Sequence, residues 1–106
     1  MNKVMLMGRI THDLEIKKTS DDKQVLNFSI AINSKIGDKE VVEYIDCVAW
    51  NKTAEFIDKY FEKGRQIIVI GSIHKSSWEN KDGQKQYSTE IIVREVFFTA
   101  EKPRKE

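Results

Sequence analysis

The sequence predicts an all-β fold, a five-stranded Greek-key barrel with one α-helix between strands 3 and 4. Three observations carry this. Apolar and polar residues alternate with a period of two in five separate stretches, the pattern of half-buried strands. After Asn51 the period changes once, to that of a helix. Gly, Asn and Asp gather between the stretches, where hairpin turns need them. Residues 1–100 are expected to form the one folded domain, and the short charged tail 101–106, "EKPRKE", to be disordered.

The first strand is "NKVMLMGRI", with Gly8 at a bend of the barrel, and it resumes at "LEIKKT" before the turn "SDDK". "VLNFSIAIN" places Leu26, Phe28, Ile30 and Ile32 on one face as the second strand. "KIGDKE" is its hairpin loop, and residues 41–50 return as the third strand. Asn51 caps a helix in which Ala54, Ile57 and Phe61 recur at helical spacing, and Gly64 takes the C′ position. "QIIVIGSIHKSSW" is the fourth strand, apolar enough at its start to be covered on both faces. Asp82-Gly83 tips a hairpin, and "YSTEIIVREVFFTA" is the fifth strand. Three strands, a helix and a two-stranded hairpin is the element order of the OB-fold.

In the third strand, "EYIDCVAWN" sorts Ile45, Cys47 and Ala49 onto one face, and Tyr44, Asp46, Val48 and Trp50 onto the other. A narrow barrel interior takes the medium-sized set, so the two rings face outward beside a carboxylate. Exposed rings along a groove can stack on unpaired bases while cations track the phosphates. Candidate stacking residues are Tyr44, Trp50, Trp78 and Tyr87. Candidate phosphate ligands are Lys3, Arg9, Lys52, Lys75, Lys81, Lys85 and Arg94. Taken singly, a Trp or Tyr in a strand is more often packing, and a hairpin lysine is usually solvated surface. Their joint placement favours single-stranded nucleic acid. A protein-interaction module on the same barrel is the alternative, using the rings as a hot spot.

The 106 residues carry a net charge of +1 and a single cysteine. Near-neutral charge does not decide for or against a polyanion, since a basic groove can sit on a neutral protein. Cys47 cannot form an intramolecular disulfide, which suits a reducing compartment, and the apolar run before Gly8 is too short for a signal segment. A cytoplasmic protein is expected. Cys47 has no neighbouring His or Asn to mark a thiol nucleophile, His12 and His74 are the only neutral-pH bases, ligand spacing for a metal is lacking, and no glycine-rich phosphate loop occurs. An enzyme is not expected, nor a metal or other cofactor.

The chain resembles the bacterial and phage single-stranded DNA-binding proteins, homotetrameric OB-fold proteins of replication, recombination and repair. The resemblance runs from Asn2 to about Phe98, through "NKVMLMGRITHDLE", "NFSIAIN", "EYIDCVAWNKTAE", "YFEKGRQIIVIG" and "WENKDGQKQYSTEI" in order. It implies that Tyr44, Trp50 and Trp78 stack on bases, that Lys3 and Arg9 lie near the DNA path, that Lys52 follows the third-strand motif, and that Tyr87 belongs to the closing hairpin. It also implies a tetramer built by pairing first strands at Asn2–Met7, with a dimer left open. Ile36 stands near where the family often has another aromatic, and Asp46 where many relatives are basic or neutral. The family's acidic, aromatic tip is not found after "EKPRKE", so the resemblance does not extend to recruitment of repair and replication enzymes.

Overall fold

The computed structural model describes residues 1–101. Its elements are β1 (Val4–Ile10), β2 (Ile16–Lys18), β3 (Gln24–Ile36), β4 (Lys39–Trp50), α1 (Asn51–Tyr60), β5 (Gln66–Glu79) and β6 (Lys85–Phe97). The expected first strand is β1 and β2 with a break between them. Both pair antiparallel with β3, β1 through Arg9 and Ile10 and β2 through Ile16–Lys18. Counting them as one, five strands close a barrel in the order β1-β5-β6-β4-β3 and back to β1. The parallel contact between β4 and β6, Cys47 beside Ile91 and Val48 beside Ile92, closes the Greek key. No helix among the described residues is long and apolar enough to cross a membrane.

The alternation read from the sequence holds in the barrel. Leu26, Phe28, Ile30, Cys47, Ala49, Ile67, Val69, Ile91 and Val93 point inward and are buried. One face of α1 presents Ala54 and Ile57 to this core, joined by Phe61 just beyond the helix. The strands come so close that two positions admit only glycine. A Cβ on Gly8 would stand 2.7 Å from the Ala31 carbonyl oxygen, and one on Gly71 would stand 1.9 Å from that of Ile92. Gly71 lies where the β5–β6 register shifts by one residue.

Both helix ends differ from expectation. Asn51 is the first helical residue rather than the cap, and it has a positive φ of 50°. Its side-chain oxygen accepts the N–H of Gln24 (3.1 Å) and so ties the helix start to β3 instead of closing the helix's own first turn. Gly64 is not at C′. The helix stops at Tyr60, and Phe61 turns to extended backbone, which buries its ring against Phe98 with centroids 5.1 Å apart. Gly64, at φ 86°, instead donates its N–H to the Ile10 carbonyl (2.8 Å) and leads into β5.

Of the expected tail, Glu101 is held on the barrel. Its carboxylate accepts from Arg9 Nη1 (2.8 Å) and the Gln66 N–H (3.1 Å). Residues 102–106 lie outside the described residues.

Candidate nucleic-acid interface

Strand register decides which side chains share a face, because directly paired residues point the same way. On β4 the even-numbered residues point out of the barrel. Tyr44 is 68% and Trp50 40% exposed, as expected for a platform rather than a core. Across the parallel contact, Val48 neighbours Ile92, so the even-numbered residues of β6 below its register shift continue this face. Trp78 pairs with Gln86 and therefore lies on the outer face with Tyr44 and Trp50, 51% exposed. Tyr87 pairs with Ser77, in phase with the inward-pointing Ile91, and so sits on the opposite face of the β5–β6 arm. Three of the four candidate rings share a surface, and the fourth does not. Tyr87 instead carries Lys75, whose Nζ lies 4.7 Å from the ring centroid.

The cations divide in the same way. Arg94 falls at the register shift of β6, where a bulge re-aims its side chain. It lines two adjoining grooves, one with Lys52, Thr53, Phe56 and Val96, the other with Trp50, Asn51, Thr19, Asp21 and Lys23. Trp50, Lys52 and Arg94 are thus gathered at one end of the platform. Lys23 joins them although the sequence reading passed over it. Its signal lies in the β3–β4 register: Val25 pairs with Trp50, so the turn before β3 must flank the ring. Lys85 pairs with Glu79 and shares the face of Tyr87, Lys81 is in the hairpin turn, and Lys3 is exposed ahead of β1. Arg9 is on the outer face of β1 but is engaged, donating to Glu101 and to the Gly64 carbonyl (3.0 Å).

Between Tyr44 and Trp50 the surface is acidic. Asp46 is exposed and lines a groove with Asp13, Glu90, His12, Asn27 and Ser29, with Phe28 and Cys47 at its floor. Asp13 and Glu90 strengthen the negative potential that Asp46 alone predicted. Burial pushes the Cys47 thiol up to about 12, and the Asp46 charge adds to the effect, so this cysteine is a neutral core residue. Ile36, at the tip of the β3–β4 hairpin, is exposed and apolar.

With this geometry in place, comparison with known proteins gives three findings. A model of the "Single-strand binding protein family" matches residues 1–99. Among curated relatives, "Single-stranded DNA-binding protein B" of Bacillus subtilis is 37% identical over 107 residues, covering 97% of this chain and 94% of that one. The "Single-stranded DNA-binding protein" of Clostridium perfringens is 38% identical over 99 residues, and the match covers 92% of this chain but only 65% of that longer protein. Among solved structures, a chain of "Plasmodium falciparum SSB complex with ssDNA" superposes with a TM-score of 0.80 at 34% identity, covering 88% of this chain and 86% of that one.

Proposed function

Because this chain belongs to the single-strand binding protein family, we propose that it is a non-catalytic, largely sequence-independent binder of single-stranded DNA that protects exposed strands in replication, recombination and repair. The observation that carries this reading is the shared outer face of Tyr44, Trp50 and Trp78, with Lys52 and Arg94 beside Trp50. Every base has a π-face, so rings on a rigid sheet accept any base, each stack contributing about 1–3 kcal/mol. The cations neutralise phosphates and release counterions, which makes the affinity salt-dependent. Duplex DNA hides its base faces and gains nothing from the rings.

Assembly and location are part of the proposal. Over Val4–Met7, β1 pairs with β5 on one edge only; among the described residues no strand covers the other. An open edge of this kind favours pairing with a second copy, the first step toward a tetramer. A cytoplasmic setting, bacterial or phage-derived, accords with the buried thiol of Cys47.

The test is intrinsic tryptophan fluorescence titrated with oligo(dT) at two salt concentrations, with duplex DNA as control. Quenching by the single strand that weakens with salt and is lacking with duplex is the expected result. No quenching, together with no mobility shift, would return Trp50 and Trp78 to a packing role and favour the protein-interaction module.

A further inference from the structure

From the end of β6 to Glu101 the chain stays on the barrel. Phe98 stacks on Phe61, and the Glu101 N–H is held by Thr99 Oγ1 (3.2 Å). Glu101 then lies across the junction of β1 and β5. Oε2 accepts from Arg9 Nη1 (2.8 Å), Oε1 from the Gln66 N–H (3.1 Å), and the Glu101 carbonyl from Arg65 Nη2 (3.2 Å). Arg9 and Gln66 are directly paired on neighbouring strands, so their donors converge on one oxyanion. A guanidinium with a main-chain N–H is equally the donor set that recognises a phosphate.

The position of this site gives it meaning. Arg9 pairs with Ala31, and Ala31 pairs with Tyr44. The three form one row on the outer face, which puts the Arg9 backbone two strands, about 10 Å, from that of Tyr44. A DNA strand stacked on Tyr44 carries its phosphates within reach of that arginine. We propose that Arg9 and the Gln66 amide form an oxyanion site that Glu101 fills in cis and that a DNA phosphate fills in exchange, so that the C-terminal strap competes with single-stranded DNA at the Tyr44 end of the platform. The inference rests on the single-stranded DNA reading above. Binding at this site gives up one ion pair for another, and DNA therefore gains less from Arg9 than it would from a free cation.

The experiment compares oligo(dT) binding by the full chain, Glu101→Gln, Arg9→Gln and the double variant at low salt. Glutamine keeps the shape and an acceptor for Gln66, and circular dichroism melts check folding; Glu101→Ala serves as a second probe. Glu101→Gln and Glu101→Ala are expected to tighten binding about two- to fivefold, the scale of one exposed ion pair. In the Arg9→Gln background the same change should bring no gain. A wild-type chain that binds while Glu101→Gln gives no gain overturns the exchange and leaves the DNA reading intact. A gain that persists without Arg9 also overturns it, since mere removal of negative charge then suffices. If neither the wild type nor Glu101→Gln binds, both readings fall.

Discussion

Asp46 shares its strand face with Tyr44 and Trp50, where a strand bridging the two rings must pass a carboxylate. Asp13 and Glu90 line the same groove, so one neutralisation removes only part of the repulsion. Asp46→Asn is accordingly expected to tighten oligo(dT) binding about two- to fivefold at low salt, with the gain fading as salt screens the groove. Unchanged low-salt affinity would mean that the strand takes another path. The rings carry larger effects. Alanine at Tyr44, Trp50 or Trp78 should weaken binding by about 5- to 100-fold each, the range of one lost stack, and Tyr87→Ala by less. Equal losses at Tyr87 and Trp78 in fluorescence-anisotropy titrations would refute the two-face assignment. The division between these two rings was not legible in the sequence. Eight residues, the hairpin turn among them, separate the two rings, and a one-residue slip in that turn exchanges the faces of every side chain on β6. Tyr44 and Trp50 were legible because they lie on one uninterrupted strand, where alternation puts both on one face and the narrow barrel interior turns that face outward.

The elements show the same boundary between local and non-local information. Strands were readable wherever alternation ran unbroken, and the Asp82-Gly83 hairpin tip was readable from turn chemistry; Gly83 indeed has φ 77°. The ends of α1 were not, because tertiary partners decide them: Gln24 captures the Asn51 side chain, and the pocket for Phe61 ends the helix. The bulge at Gly71 was equally hidden, since nothing in "VIGSI" reports how closely β6 passes. It leads to a definite expectation. Gly71→Ala forces a methyl group into main chain and should destabilise the barrel by at least the cost of overpacking, about 1–3 kcal/mol, measured by urea unfolding. Gly83→Ala, with open space around the added carbon, should be limited to its backbone strain. The strap after β6 adds a pH signature. The Gln66 N–H first, and Arg9 next, hold the Glu101 carboxyl below its ordinary 4.5. Its folded value is depressed, so the contribution to stability is full above the unfolded value and is lost as pH falls through the folded one. Thermal melts at neutral pH should separate wild type from Glu101→Gln, and the two curves should converge in acid. A gap that stays constant with pH would assign the effect to packing.

At the scale of the whole molecule, the outer face of β1 and β5 is unfinished. The start of β5 is apolar enough in sequence to predict cover on both sides, yet the described residues fully cover only the inner one. Ile68 and Ile70 are half-buried and pair with Met7 and Met5, which are exposed. These four side chains form an apolar strip directly beside the uncovered edge of β1. A strip and an edge together favour one occupant: a second copy whose β1 pairs antiparallel to the first, supplying main-chain hydrogen bonds and lateral apolar cover at once. Burial at such a seam also adds apolar area to the core of a small domain. Light scattering of the wild type is therefore expected to give a dimer or tetramer. Met5→Lys with Met7→Lys should shift it toward monomer, because like charges then face each other across the two-fold seam. The rings lie on other strands, so the variant should still quench on a short oligo(dT). It should lose affinity on a long one, where contacts on linked subunits act together. A wild type that is monomeric at all concentrations tested would remove the β1 edge from the assembly while leaving the platform in place.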